Sequence, residues 1–198
     1  MITFINFDKN EPNLVFKLLY KQAEKHNQKH VEAACISSFD HITNEVEARY
    51  VNIKYIKNDQ WIFFSNYDSP KSKQFSNHNQ ISVIFFWPNI ASQIRIKAII
   101  KKIPKKDNDD YFAQRDLKKN AVALSSNQSM KISSYDQVIQ RYNDCLNERS
   151  LQKCPDNWGG FAFTPYYYEF WEGHESRLNK RKVFEKTDGV WRHSFLQP

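Results

Sequence analysis

WGGFAFTPYYYEFWEGHESRLNKR, residues 158 to 181, is the stretch whose reading decides the fold. Trp158 and two glycines open it, and an aromatic run from Phe161 to Trp171 follows, interrupted once by Pro165. Aromatic enrichment bounded by Gly and Pro predicts two strand segments. In the second, alternation places Tyr167, Glu169 and Trp171 on one face, and Tyr168 and Phe170 on the other. A carboxylate and an indole on a shared face, followed by Arg177 and Arg181, suit a planar anionic ligand. An aromatic sheet core with a basic, solvated exit fits the same residues equally well.

Around this stretch the chain reads as one domain, residues 1–198, long enough to bury a sizeable core. Fifteen Phe, ten Tyr and five Trp favour sheet over a helix bundle. Twenty-nine basic against 22 acidic side chains leave a formal charge of +7, which favours anionic partners. No long basic tail or repeated Arg cluster singles out nucleic acid. No run reaches the roughly 18 apolar residues of a membrane span, and no signal peptide is evident. Cys35, Cys145 and Cys154 have neither zinc nor thioredoxin spacing, and their odd number fits a reducing cytoplasm.

Upstream, residues 1–11 read as a flexible arm. After Pro12, a helix is expected to carry Leu14, Leu18 and Ala23 on its apolar stripe. Residues 31–39 read as a strand, and 44–66 as two antiparallel strands around Asn58-Asp59. Arg49 and Lys54 lie on the first of these at an odd offset. Either one faces solvent or a bulge re-aims the chain. Asp68 or Ser69 caps a short helix with Pro70 in its first turn, putting Lys71 beside free backbone N–H groups that can receive phosphate. Residues 81–87 and 90–103 read as strands. In the second, Ile94, Ile96 and Ala98 alternate with Gln93, Arg95 and Lys97. Helices are expected over 107–116 and 134–148, with Tyr111 and Arg115 neighbours on the first. A terminal hairpin turns at Asp188-Gly189.

Taken in order, these pieces resemble the pyridoxamine 5'-phosphate oxidase family over nearly the whole chain. The resemblance rests on Arg49 to Lys54, Phe64-Ser65-Asn66, Lys71, Phe85 to Trp87 and Gln93-Ile94-Arg95. It continues through Tyr111-Phe112 with Arg115, Gln128-Ser129, Trp158-Gly159-Gly160, Glu169-Phe170-Trp171 with Gly173, Arg177-Leu178 with Arg181, and the closing Leu196-Gln197-Pro198. It implies a mainly β fold: an FMN-binding split β-barrel with Greek-key character and peripheral helices. It further implies a homodimer with FMN at the subunit interface.

By the same resemblance, Arg49, Phe64, Ser65, Lys71, Gln93, Gln128, Ser129, Trp171 and Arg181 contact FMN. Lys54, Tyr111, Arg115 and Lys119 take the substrate phosphate, while Arg177 and Asn179 sit at the reacting carbon. The implied activity is oxidation of pyridoxamine or pyridoxine 5'-phosphate to pyridoxal 5'-phosphate, with oxygen as acceptor and hydrogen peroxide as product. An FMN oxidoreductase acting on another planar substrate, such as a phenazine precursor, and a non-catalytic flavin- or pyridoxal-phosphate-binding protein are the alternatives. The chain departs from the family pattern at Pro70 and Ser92, where arginines are usual, and at Lys119, where a serine is usual. Leu124 replaces a tryptophan, Asn179 the histidine after Arg-Leu, and Lys180 the aspartate that follows.

Overall fold

The computed structural model describes every residue except 149. In chain order its elements begin β1 (Thr3–Ile5), α1 (Glu11–Lys25), β2 (Ala33–Asp40), β3 (Glu45–Asn52), β4 (Tyr55–Lys57), β5 (Gln60–Asn66) and α2 (Pro70–Asn77). They continue β6 (Gln80–Trp87), a 3-10 turn (Pro88–Ile90), β7 (Ser92–Lys102), α3 (Lys105–Gln114), α4 (Leu117–Ser125) and α5 (Tyr135–Glu148). The chain closes with β8 (Trp158–Glu172), β9 (Lys180–Thr187) and β10 (Val190–Leu196).

Asn10 starts α1. Its side-chain oxygen accepts the Asn13 N–H at 3.0 Å, and Pro12 occupies the first turn, where a missing N–H costs nothing. The buried face differs from the expected stripe. Leu14 and Leu18 are exposed, whereas Phe16, Tyr20 and Ala23 are buried. Both sets have helical spacing. The aromatic set wins because Phe16 meets Trp61, Phe85 and Trp87 at centroid distances of 4.4, 5.3 and 5.6 Å. Each such ring gains roughly 1.5–3 kcal/mol from burial, with about 0.5–1.5 kcal/mol more per aromatic pair. Part of the expected arm is docked: β1 pairs in parallel with β4, and the buried Ile2 donates its N–H to the Tyr20 hydroxyl at 2.8 Å.

All ten strands join one sheet, along the path β1-β4-β5-β8-β7-β6-β2-β3, with the β9-β10 hairpin branching from β8. The expected mainly β split barrel is not what forms. This is a mixed α/β fold with peripheral helices, and its sheet is open, because the end strands β1 and β3 do not pair. The reason lies in β8. It is one continuous 15-residue strand rather than two segments. Its first part pairs with β5, its last part with β9, and β7 runs along its other edge. The register slips opposite Lys97 and Ala98, where Tyr166 is skipped next to Pro165. Proline has no N–H to give a ladder, so the strand bends and changes partner there. The sheet forks at this point instead of closing.

Alternate burial along β7 is as its sequence predicts, with Ile94, Ile96 and Ala98 inward. Arg49 and Lys54 do not share a strand. Ile53 donates its N–H to the Glu32 carbonyl beside β2, while Lys54 donates to the Ile62 carbonyl of β5. The chain thus crosses between sheet regions at that peptide, which resolves the odd offset. The terminal hairpin turns at Asp188 and Gly189, both with positive φ (52° and 80°), as a two-residue turn requires.

Candidate functional site

Lys71 is the second residue of α2, with Ser69 at the N-cap and Pro70 in the first turn. The Ser69 hydroxyl donates to the Asn66 carbonyl at 2.8 Å, so it caps no N–H of its own helix. Lys71 Nζ donates to Ser69 Oγ at 3.2 Å, Ser65 Oγ at 3.0 Å and Gln128 Oε1 at 3.0 Å. Burial, with the Arg49 guanidinium nearby, pushes its pKa down to about 8. Arg49 is held in turn by Ser38 Oγ at 2.6 Å, Glu47 Oε2 at 2.7 Å and Gln74 Oε1 at 3.1 Å. A buried ammonium that meets only hydroxyl and amide oxygens, with a second cation beside it, favours an arriving anion.

This corner opens into a cleft of about 470 Å³. Lys54, at the crossing between β3 and β4, lines it together with Phe64 and Ser65 of β5. Tyr111 and Arg115 enter from α3 and its C-cap, Lys119 from α4, and Gln128 from the following loop. α4 is an element for which no expectation stands from the sequence. Asp116 starts it by accepting the Lys119 N–H at 3.1 Å. Phe64 stacks on Tyr111 at 3.7 Å and 11°, and Trp158 lies parallel to both. Arg115 rests over the Trp158 ring at 5.0 Å and donates to the Lys119 carbonyl at 2.9 Å. Trp158, which the site reading left out, is therefore a wall of this cleft. Its signal was its place directly before two glycines. Ser129, next to Gln128, is exposed and has φ +69°. Among the described residues the cleft is lined by aromatic faces and four basic side chains against one acid, Asp116, and it suits a planar ligand carrying phosphate.

Gln93, Trp171 and Arg181 lie elsewhere. They are direct cross-strand neighbours on β7, β8 and β9. Beside them Glu169 is buried, accepting from Arg181 Nε at 2.8 Å, from the Tyr167 hydroxyl at 3.1 Å and from Arg95. Burial alone would raise this carboxyl, but the bonds from Arg181 and Arg95 outweigh it and hold the pKa below the usual range. Arg181 also donates to the Gln197 carbonyl at 2.9 Å, tying down the chain end. A loop over 173–179 projects from the edge of this patch. A Cβ at Gly173 would lie 2.9 Å from the Trp171 ring, so a larger residue there would have to displace the indole. Within the loop, Asn179 Oδ1 accepts the His174 N–H at 3.1 Å. Arg177, at φ +60°, donates its N–H to the His174 carbonyl at 2.9 Å and presents an exposed side chain.

The residues selected by resemblance thus form two groups in one chain. One lines the cleft at the β8 amino end, and the other sits at the β8 carboxyl end. From Gly159 to Trp171 the strand covers twelve residue steps, roughly 40 Å of extended path. Among the described residues no cluster of His, Cys, Asp or Glu could hold a metal ion, and no helix is long and apolar enough to cross a membrane.

Residues 22–142 match a family model described as pyridoxamine 5'-phosphate oxidase. Residues 158–198 match one described as the pyridoxine 5'-phosphate oxidase C-terminal dimerisation region. A pyridoxine/pyridoxamine 5'-phosphate oxidase of Leptospira biflexa is 30% identical over 190 residues, covering 95% of this chain and 89% of its own. Its counterpart in Christiangramia forsetii is 32% identical over 194 residues, covering 96% and 89%. Among solved structures, PhzG from Burkholderia lata, in complex with tetrahydrophenazine-1-carboxylic acid, shares the fold with a TM-score of 0.89 at 20% identity, covering 95% of this chain and 93% of that one. A pyridoxamine 5'-phosphate oxidase-related, FMN binding protein from Nostoc punctiforme shares it with a TM-score of 0.79 at 10% identity, covering 96% and 99%.

Proposed function

The chain belongs to the pyridoxamine 5'-phosphate oxidase family, at moderate divergence, and we propose that it oxidises pyridoxamine or pyridoxine 5'-phosphate with FMN bound between two copies of itself. One observation carries this reading. Eight residues selected by resemblance, far apart in the chain, converge on one cationic, aromatic-walled cleft. The buried Lys71, which meets no carboxylate among the described residues, fits a cofactor phosphate there.

In this reading Lys71, Arg49, Ser65, Gln128 and Ser129 hold the FMN phosphate and adjoining groups, with Phe64 against the flavin ring. Gln93, Trp171 and Arg181 of the second copy complete the cofactor site, since one chain keeps its two groups at opposite ends of β8. Bound FMN supplies the hydride acceptor and the reaction with oxygen. The chain's own work is binding and orientation. Lys54, Tyr111, Arg115 and Lys119 clamp the substrate phosphate, which fixes the position of the far end of the pyridine ring. Arg177 covers that ring with its planar guanidinium, and Asn179 orients the loop that carries Arg177. The sum for the amine substrate is pyridoxamine 5'-phosphate, oxygen and water to pyridoxal 5'-phosphate, ammonia and hydrogen peroxide. The alcohol substrate gives the aldehyde without the hydrolytic step.

The decisive experiment is anaerobic addition of pyridoxamine 5'-phosphate, then of pyridoxine 5'-phosphate, to purified FMN-loaded protein. Loss of the oxidised flavin band, restored by oxygen with formation of peroxide, is the expected result. No bleaching with either compound at saturation rejects the assignment. Bleaching only with a different planar donor keeps the oxidoreductase and replaces the substrate.

A further inference from the structure

The first of the two glycines after Trp158 makes room for a polar network, and the second joins it through its backbone. A Cβ at Gly159 would overlap the Tyr67 hydroxyl and the Asn108 amide, which fill that space. Asn108 Oδ1 accepts the Gly160 N–H at 2.8 Å, and Asn108 Nδ2 donates to the Tyr67 hydroxyl at 3.1 Å. That hydroxyl donates in turn to the Gly160 carbonyl at 3.0 Å. Asn108 is buried and sits on α3 three residues before Tyr111 and seven before Arg115, so all three share one side. Phe112, on the same side, packs edge-on to Trp158 at 5.0 Å. Tyr67 belongs to the turn that leads through Ser69 into Lys71, and its N–H donates to the Asn157 carbonyl at 2.6 Å.

The closed three-bond loop therefore ties together the start of β8, the helix that carries Tyr111 and ends at Arg115, and the turn that leads into Lys71. An amide is suited to the central place, because it accepts from one backbone group and donates to the phenol at once. A partly buried network satisfied at each of these atoms resists rearrangement, since a slip leaves the buried Asn108 amide and the Gly160 N–H unpaired. We propose that Asn108 is a positioning residue for the anion cleft: through Gly160 and Tyr67 it sets where Tyr111 and Arg115 stand relative to Lys71. This rests on reading the cleft as the site of a phosphorylated B6 vitamer.

The test is a double-mutant cycle on the FMN-loaded protein, with pyridoxal 5'-phosphate as the titrated probe. Asn108→Ala is expected to weaken binding about tenfold, and Arg115→Ala to weaken it at least as much. Adding Asn108→Ala to Arg115→Ala is expected to cost clearly less than about tenfold more, because part of its effect runs through Arg115 and only the rest through Tyr111. Tyr67→Phe, which keeps the ring and the fold, is expected to follow the same pattern with a smaller loss. Additive losses, or unchanged affinity in Asn108→Ala and Tyr67→Phe, overturn the proposal. If Asn108→Ala fails to fold, the Tyr67→Phe cycle decides alone. Hydrogen exchange over residues 105–114 in the ligand-free protein gives a second readout. Tyr67→Phe should speed exchange there while leaving β6 and β7 protected, and unchanged exchange also overturns the proposal. If the unmutated protein binds no pyridoxal 5'-phosphate, the functional reading fails, and the exchange measurement still decides whether the network fixes α3.

Discussion

Replacing Lys71 with methionine tests the cofactor-phosphate site directly. The ammonium is buried, donates to three neutral oxygens, and has its pKa lowered to about 8 by burial and by Arg49. A phosphate that reaches it gains a charge-assisted hydrogen bond of roughly 1.5–3 kcal/mol, or about 10- to 150-fold in affinity. Riboflavin, which lacks the phosphate, gains nothing there. Lys71→Met should therefore weaken FMN by about that factor and leave riboflavin nearly unchanged.

The pH dependence has a definite sign. Phosphate favours the protonated lysine, so FMN affinity is full below pH 8 and falls above it as the free protein loses that proton. Between pH 7.5 and 9.5 the fall should reach on the order of tenfold, and Lys71→Met should abolish it. The same lowered pKa means that the charged lysine costs the ligand-free fold stability at neutral pH. That cost shrinks as pH rises from 8 toward the ordinary lysine value of 10.5, so the methionine variant without ligand should melt no lower than the parent at pH 7. Fluorescence titration of apoprotein with both flavins, repeated across pH, measures these quantities. Equal loss for riboflavin and FMN, or identical pH curves for the two, refutes the reasoning.

Three further outcomes are expected. Glu169→Gln leaves the partly exposed Arg95 and Arg181 facing a neutral amide and should cost roughly 1–3 kcal/mol of stability at pH 7, read by denaturant unfolding. Because the folded carboxyl pKa is lowered, its contribution is complete above the unfolded value near 4.5 and lost as pH falls through the folded one, so parent and variant should converge in acid. Gly189→Ala meets no atom within 4 Å but must hold φ near +80°, so a loss of roughly 1–2 kcal/mol in melting experiments should come from backbone alone, and an unchanged melt would contradict the positive-φ turn. Arg177→Ala should slow anaerobic flavin bleaching by pyridoxamine 5'-phosphate while FMN stays bound; an unchanged rate removes Arg177 from the reaction.

Local chemistry made some elements legible before any coordinates. Asp188-Gly189 announced its turn, the alternation in β7 announced its two faces, and Ser69-Pro70 announced the start of α2. Other features depended on partners that the local pattern does not encode. Leu14 and Leu18 compete with Phe16 and Tyr20 for the inner face of α1, and only the position of Trp61 and Phe85 decides between them. The break between Arg49 and Lys54 is invisible in a run of strand-forming residues, because it is made by hydrogen bonds to Glu32 and Ile62. The open sheet follows from which strands flank β8 on either side of Pro165, a long-range matter. At the site, Lys71 and the Tyr111–Arg115 pair could be named with their roles, whereas Trp158 was marked only by the glycines after it and Asn108 not at all. Their roles come from what packs on them rather than from their own residue types.

The placement of the two residue groups at opposite ends of β8 has a genetic consequence. If each working site draws on one end from each of two copies, two inactive alleles can rescue one another. At FMN concentrations too low to load either weakened half, Lys71→Met disables the cleft half and Arg181→Ala the sheet half. In a mixed dimer one site collects both defects and the other collects neither. Random assortment of equal amounts makes about half the dimers mixed, so co-expression should restore about a quarter of the parental sites from two chains that are each inactive alone. A site contained in a single chain would show no such complementation.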